Sequence, residues 1–330
     1  MTRHLQFLVL SAVFSVTLAG QTNTVVGAGY ISQAPLYLAP GQVVTVFVAG
    51  IGKSLTQAVR TPDSTWSTSL AGISVALLQG DRIPAPILEV RPIPGCSPPF
   101  GFQVPCGSVT AVTVQIPYTL IPLCPLCLRP IGPAPELVVA ENGQDGTAIG
   151  ITPLADKVHV LTSCDILLQP DSTGVNPAGT DTSGLPCPPM VIHGDGKLVS
   201  AANPANSGEE LAAYAVGLGV TNPASREGQP APAPIHTVQE FLINYNFHVN
   251  TLPAKPPPES STALFTGLTP EYPGLYQINF VVPPVPQGTK SCDAAGALAP
   301  GANAIQSNLT VSIGGAFSFD GAGICVTGTN

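Results

Sequence analysis

The chain has 330 residues, among them 37 Pro and 34 Gly, with 44% hydrophobic and only 9% charged residues and a formal net charge of −8. So much Pro and Gly excludes a long helical bundle, because each breaks a helix interior at roughly 1–3 kcal/mol, and the apolar share excludes a disordered charged tail. The eleven Lys and Arg are scattered singly, which leaves no electropositive stripe for nucleic acid.

Met1-Thr2-Arg3-His4 leads into the run LQFLVLSAVFSVTLAG. A short basic start, an apolar stretch and a small-residue end predict a secretory signal peptide over residues 1–20. The run falls short of the ~20 residues needed to span a bilayer, and Gln21 stands where a lipoprotein carries its acylated Cys. Cleavage removes Arg3 and makes the mature chain one charge more negative. The expected mature chain is exported, with no membrane span. All eight cysteines (Cys96, Cys106, Cys124, Cys127, Cys164, Cys187, Cys292, Cys325) lie beyond this leader. An even count in an exported chain predicts disulfides. The expected pairs are Cys164–Cys187 and Cys292–Cys325, with Cys96, Cys106, Cys124 and Cys127 bonding among themselves.

Strand signals fill the remainder. Val43-Val44-Thr45-Val46-Phe47-Val48 follows a Pro40-Gly41 turn and predicts a buried strand. Val112, Val114 and Ile116 alternate with Thr113 and Gln115, the pattern of a half-buried strand. The same alternation returns over 276–280 and 309–313. Pro-Gly, Asn-Gly and Gly-Gly punctuators separate these runs. The predicted class is all-β.

The pattern also repeats. APGQVVTVFVAGIG (39–52) lies on ANSGEELAAYAVGLG (205–219), so that Gly41 falls on Gly208, Phe47 on Tyr214, Gly50 on Gly217 and Gly52 on Gly219, a shift of 167. VTVQIPY and INFVVPP follow with Pro117 on Pro283, a shift of 166, and PELVVAENGQDG (135–146) lies more loosely on QSNLTVSIGGAF (306–317). Two echoes at nearly the same spacing predict two tandem immunoglobulin-like β-sandwich domains. The first spans 21–165, with Cys-rich inserts around 94–107 and 122–134; the second spans 191–330. Residues 166–190 between them are rich in Pro, Gly, Ser and Asp, a linker composition. Two short apolar runs around Gly194-Asp195-Gly196 predict a hairpin leading into the second copy.

HGDGKLVSAANPANSGEELAAYAVGLGV, followed by FTGLTPEYPGLYQINFVVP, resembles the uncharacterised secreted Solibacter-type C-terminal domain family of soil bacteria. The matching marks are Asn203-Pro204-Ala205 ahead of a strand ending Tyr-Ala-x-Gly-Leu-Gly, and the block from Gly267 through Asn279. The opening strand of the first half fits as well, so the resemblance covers most of residues 28–326. Each half is more distantly similar to IPT/TIG domains of immunoglobulin-like fold. The resemblance implies fold and export and brings no catalytic residues across. The extra cysteines and the two inserts depart from the family pattern.

No constellation for chemistry stands out. Cys124-Pro125-Leu126-Cys127 has redox spacing, but Pro122, Pro125 and Pro130 surround it and no helix follows, so a structural disulfide is the reading. Zinc held with Cys96 and Cys106 is the alternative, and exported chains seldom keep four thiolates. His159, His193, His236 and His248 stand alone; His193-Gly-Asp195 has no Gly-x-Ser-x-Gly elbow to serve and reads as a turn. Asp171 and Asp181 frame a loop of oxygen donors without calcium-loop spacing, which reads as Asx-turns. Glu209-Glu210 reads as a solvated strand edge. Trp66 with Phe100 and Phe102 is the candidate binding patch, with core or loop packing as the blander use. Asn308-Leu309-Thr310 is a glycosylation sequon on a predicted strand. The expected function is that of an exported, non-catalytic extracellular or cell-surface interaction protein, without cofactor, whose partner is a protein or polysaccharide outside the cytosol. The alternatives are a secreted hydrolase with a site assembled across strands and a polysaccharide-binding accessory module.

Overall fold

A computed structural model describes residues 23–29, 36–62, 64–93, 109–123, 133–165, 187–247, 259–292 and 307–329. Among these the regular elements are all strands, arranged as two β-sandwiches in tandem. In the first, one sheet runs Thr24–Gly29, Val43–Ala49, Val109–Gln115, Ile87–Pro92, Val59–Arg60 in spatial order. The facing sheet centres on the antiparallel pair Ile73–Gln79 and Glu136–Glu141. Val44, Val46 and Val48 from the first sheet meet Val75, Leu77, Leu137 and Val139 from the second in one core. Each such side chain contributes about 1.5–3 kcal/mol through burial.

The second sandwich repeats this plan. One sheet runs His159–Val160, Glu210–Val216, Tyr276–Val281, Phe265–Leu268, Ile235–Thr237, Thr221–Asn222, and the facing sheet runs Glu259–Thr262, Leu242–Asn246, Leu309–Gly314, Phe319–Ile324. Leu211, Ala213, Ile278 and Phe280 meet Ile243, Val311, Ile313 and Ile324 across its core. The echoes in the sequence are echoes in register. Val44 pairs with Val114 in the first copy, and their shifted counterparts Leu211 and Phe280 pair in the second. Gly50 and Gly52 leave the first strand at φ 89° and 65°, and Gly217 and Gly219 leave its counterpart at 80° and 81°.

Three findings depart from the sequence expectations. Val109–Gln115, which alternates like a half-buried strand, is buried along both faces, as is Val43–Ala49. Thr45 and Thr113 bond across the outer face at 2.9 Å, and Gln115 Oε1 accepts the Gly228 N–H of the second sandwich at 2.6 Å. The polar alternation thus marks a face that another layer covers. Second, Val158 and Val160 pack into the second core, ahead of the boundary expected at 165, because His159–Val160 pairs with Val216 and Ala215. Third, Glu209 is no solvated edge charge, because it receives His193, and the Glu210–Val216 strand lies inside its sheet.

Two disulfides join the expected partners: Cys164–Cys187, with Cα atoms 5.5 Å apart, and Cys292–Cys325, at 5.8 Å. The first closes the paired segments around Leu161 and Met190, where Met190 N–H donates to the Leu161 carbonyl at 2.7 Å. Cys96, Cys106, Cys124 and Cys127 lie outside the described residues, as do the leader and linker residues 166–186. The hairpin around Gly194-Asp195-Gly196 is present, with Ile192 bridged to Leu198.

Candidate functional site: a cleft between the sandwiches

The sandwiches meet where the outer face of the first sheet receives the turn that precedes Tyr276. Gly274 lies at φ 68°, a left-handed conformation that favours glycine. A methyl group there would stand 2.5 Å from Val43 Cγ2 and 2.8 Å from Gln115 Nε2. Gly41, at φ 71°, does the reciprocal service: its missing side chain leaves room for the Tyr118 ring. Tyr118 then hydrogen-bonds Tyr276, whose hydroxyl also donates to the Gly219 carbonyl. Burial raises the pKa of both phenols, so they stay neutral and available as donors. The Tyr118 N–H donates to Glu227 at 3.1 Å, and the Trp66 N–H donates to the Gly228 carbonyl at 2.7 Å. Val43, Leu161 and Val216 form a small buried cluster here, with Trp66, Met190, Tyr214 and Leu275 packed against it.

Beside this seam opens a cleft of about 560 Å³. The first sandwich contributes Val43, Arg60, Trp66 and Leu88; the second contributes Val216, Glu271, Tyr272, Pro273 and Leu275. Trp66 is the chain's single tryptophan. Tyr272 is 62% exposed, and Glu271 holds the turn at φ 76°, an uncommon conformation for a residue with a side chain. On the opposite wall Arg60 lies 3.8 Å from Glu89, and Glu89 is clamped by Arg91 at 2.6 Å, with both members of that closer pair buried. Among the described residues the lining is mostly apolar, with one guanidinium and one carboxylate, which is the usual make-up of a small-ligand site.

The structure brings one predicted patch residue, Trp66, into this cleft; Phe100 and Phe102 lie outside the described residues. The partners that sequence reading missed are Arg60, Glu271 and Tyr272. The last two, Glu271 and Tyr272, stand at the centre of the Gly267–Asn279 block.

The described histidines are held in structural contacts. His159 donates from Nδ1 to Asp320 at 2.9 Å and from Nε2 to Asp165 at 3.0 Å. Burial opposes charge on this ring, but the two carboxylates outweigh it and lift the pKa to about 9. His193 bonds Glu209 through Nδ1 at 2.5 Å and the Asn203 carbonyl through Nε2 at 3.0 Å. Burial again opposes charge, and these acceptors raise the pKa. Asp195 pairs with Lys197 at 2.6 Å instead of with His193. With both nitrogens engaged, neither ring presents a base to a nucleophile. His236 packs edge-on against Phe265, with centroids 4.9 Å apart, and His248 lies outside the described residues, as do Asp171 and Asp181. The sequon asparagine, Asn308, is buried and donates from Nδ2 to the Lys290 and Val326 carbonyls at 2.7 and 2.9 Å. It is a clamp closed to any glycan in the folded chain. Among the described residues no group of three His, Cys, Asp or Glu is placed to hold a metal ion, and no helix is long and apolar enough to cross a membrane.

No known family profile matches the chain, and no curated protein does. A solved structure named BspA_C_WT aligns over 93% of this chain and 100% of its own, at 10% identity and a TM-score of 0.17. A likeness of that strength supports no inference about role.

Proposed function

We propose that this chain is an exported, non-catalytic extracellular or cell-surface interaction protein that takes its partner in the cleft between its sandwiches. One observation carries the reading: two sandwiches, the second closed by two disulfides, dock through a specific seam and leave beside it an aromatic-lined cleft to which both contribute. Two bonded cysteine pairs agree with folding in an oxidising compartment. The leader-like N-terminus and the resemblance of residues 28–326 to the Solibacter-type family, with its IPT/TIG-like halves, belong to the same reading.

Because Trp66 is the sole tryptophan, its emission reports the cleft directly. The purified oxidised chain, titrated with soluble polysaccharides and with peptides, is expected to change its Trp66 emission saturably with at least one of them. Saturable binding seen by calorimetry without any change at Trp66 would place the partner elsewhere and overturn the reading.

A further inference from the structure

We infer that the ligand of this cleft is a neutral carbohydrate, one or two pyranose rings stacked on Trp66 and Tyr272; this rests on the cleft being the binding site. Size comes first. About 560 Å³ lies within the ~300–1,000 Å³ range of small-ligand sites and admits a short oligosaccharide segment. Charge comes second. Among the described residues Arg60 and Glu271 are the charged groups in the lining, and they balance. A balanced pair gives no net attraction for a phosphate, a uronate or a cationic side chain, while each member hydrogen-bonds hydroxyls well. Shape comes third. Trp66, Tyr272, Pro62 and Pro273 present flat apolar surfaces, the complement of the C–H face of a pyranose.

A peptide is the competing occupant, and the backbone disfavours it. Strand addition needs an open sheet edge. The edge bordering the cleft is Val59–Arg60, two residues long and followed after Thr61 by Pro62, which removes a donor. The left-handed Glu271 adds a fourth observation. Glu271 holds φ 76°, a region few residues with side chains adopt, and such residues gather at ligand sites. Here it sets the turn that presents Tyr272 beside the cleft.

The test uses the full oxidised chain and six probes: cellotetraose, xylotetraose and N-acetylchitotetraose as neutral sugars, tetragalacturonate as an acidic one, and tetraproline and tetralysine as peptides. The expected result is a saturable Trp66 emission change with at least one neutral sugar. That binding should be insensitive to salt and weakened about tenfold or more in Tyr272→Ala, a change of about 1.4 kcal/mol or more. Tyr272 is exposed, so this variant is expected to keep the wild-type urea midpoint, which is measured alongside. Silence of all three neutral sugars overturns the inference; a Trp66 response to tetraproline, tetralysine or tetragalacturonate alone does so while leaving the cleft as the binding site. Neutral-sugar binding by calorimetry that leaves Trp66 unchanged and survives Tyr272→Ala overturns the cleft itself.

Discussion

Gly274→Ala separates backbone strain from inter-sandwich contact, and Gly208→Ala supplies the control. Both glycines sit in the second half at left-handed φ, 68° and 80°. An alanine there pays about 1–2 kcal/mol in backbone energy, partly offset by its stiffer unfolded chain, for a net of about 1 kcal/mol. For Gly208 that is the whole cost, since an added Cβ meets nothing within 4 Å. At Gly274 the same atom stands 2.5 Å from Val43 Cγ2, 2.8 Å from Gln115 Nε2 and 3.1 Å from the Gly41 carbonyl. Carbon atoms rest near ~3.5–4 Å, so Val43 must retreat by about 1 Å within a buried cluster. Overpacking of that kind costs about 1–3 kcal/mol more. Gly274→Ala is therefore expected to lose about 2–4 kcal/mol in urea unfolding and to shift Trp66 emission in the folded state, because Trp66 packs on the same cluster. Gly208→Ala is expected to lose about 1 kcal/mol with emission unchanged. Equal losses and unaltered emission in both variants would refute the account of the seam.

Two further outcomes follow from the buried polar groups. His159 holds its proton in the folded chain up to about 9 and releases it near 6.5 when unfolded, so the folded state binds more protons between those values. Stability is then fully present below about pH 6.5 and falls by about 3 kcal/mol as pH rises through 9, read as urea midpoints at about pH 6 and about pH 9.5; Asp320→Asn is expected to flatten this slope, and an unchanged slope would sink the assignment. Asn308→Asp turns a donor to two carbonyls into a buried anion facing them and is expected to cost about 3 kcal/mol or more in thermal or urea unfolding, whereas an exposed sequon would tolerate the change within about 0.5 kcal/mol.

The duplication was legible because register is set by side-chain period and turn chemistry, both local. Val44 opposite Val114 and Leu211 opposite Phe280 follow from two short echoes at shifts of 167 and 166. What stayed hidden depends on distance along the chain. His159 and Asp320 lie 161 residues apart, and Asp156 accepts from Ser318 across 162. No spacing rule joins such partners. The polar members of Val109–Gln115 misled for a related reason: alternation tells which residues are polar, and it does not tell that a second domain covers the polar face. Trp66 was singled out for its residue type alone. Its neighbours across the cleft come from the other sandwich, so only docking assembles them.

That docking explains why the Gly267–Asn279 block has its composition. Gly267 leaves no room for a side chain, since an added Cβ would lie 2.2 Å from the Ile235 carbonyl of the adjacent strand. Gly274 lets the turn lie flat on the first sheet, Leu275 enters the cluster with Val43, and Tyr276 reaches Tyr118 while capping the exit at Gly219. Glu271, Tyr272 and Pro273, between these positions, all line the cleft. In the first copy the position of Tyr276 is held by Thr110, whose hydroxyl donates to Ile51 at the equivalent exit, 2.9 Å away. The smaller residue caps its own sandwich and reaches no second domain. Both copies thus hold the strand exit with a hydroxyl from the same strand position, on acceptors one residue apart, and differ in what faces outward. A recognition surface between duplicated sandwiches requires that divergence, because two identical faces would offer the same wall twice and no cleft of mixed chemistry.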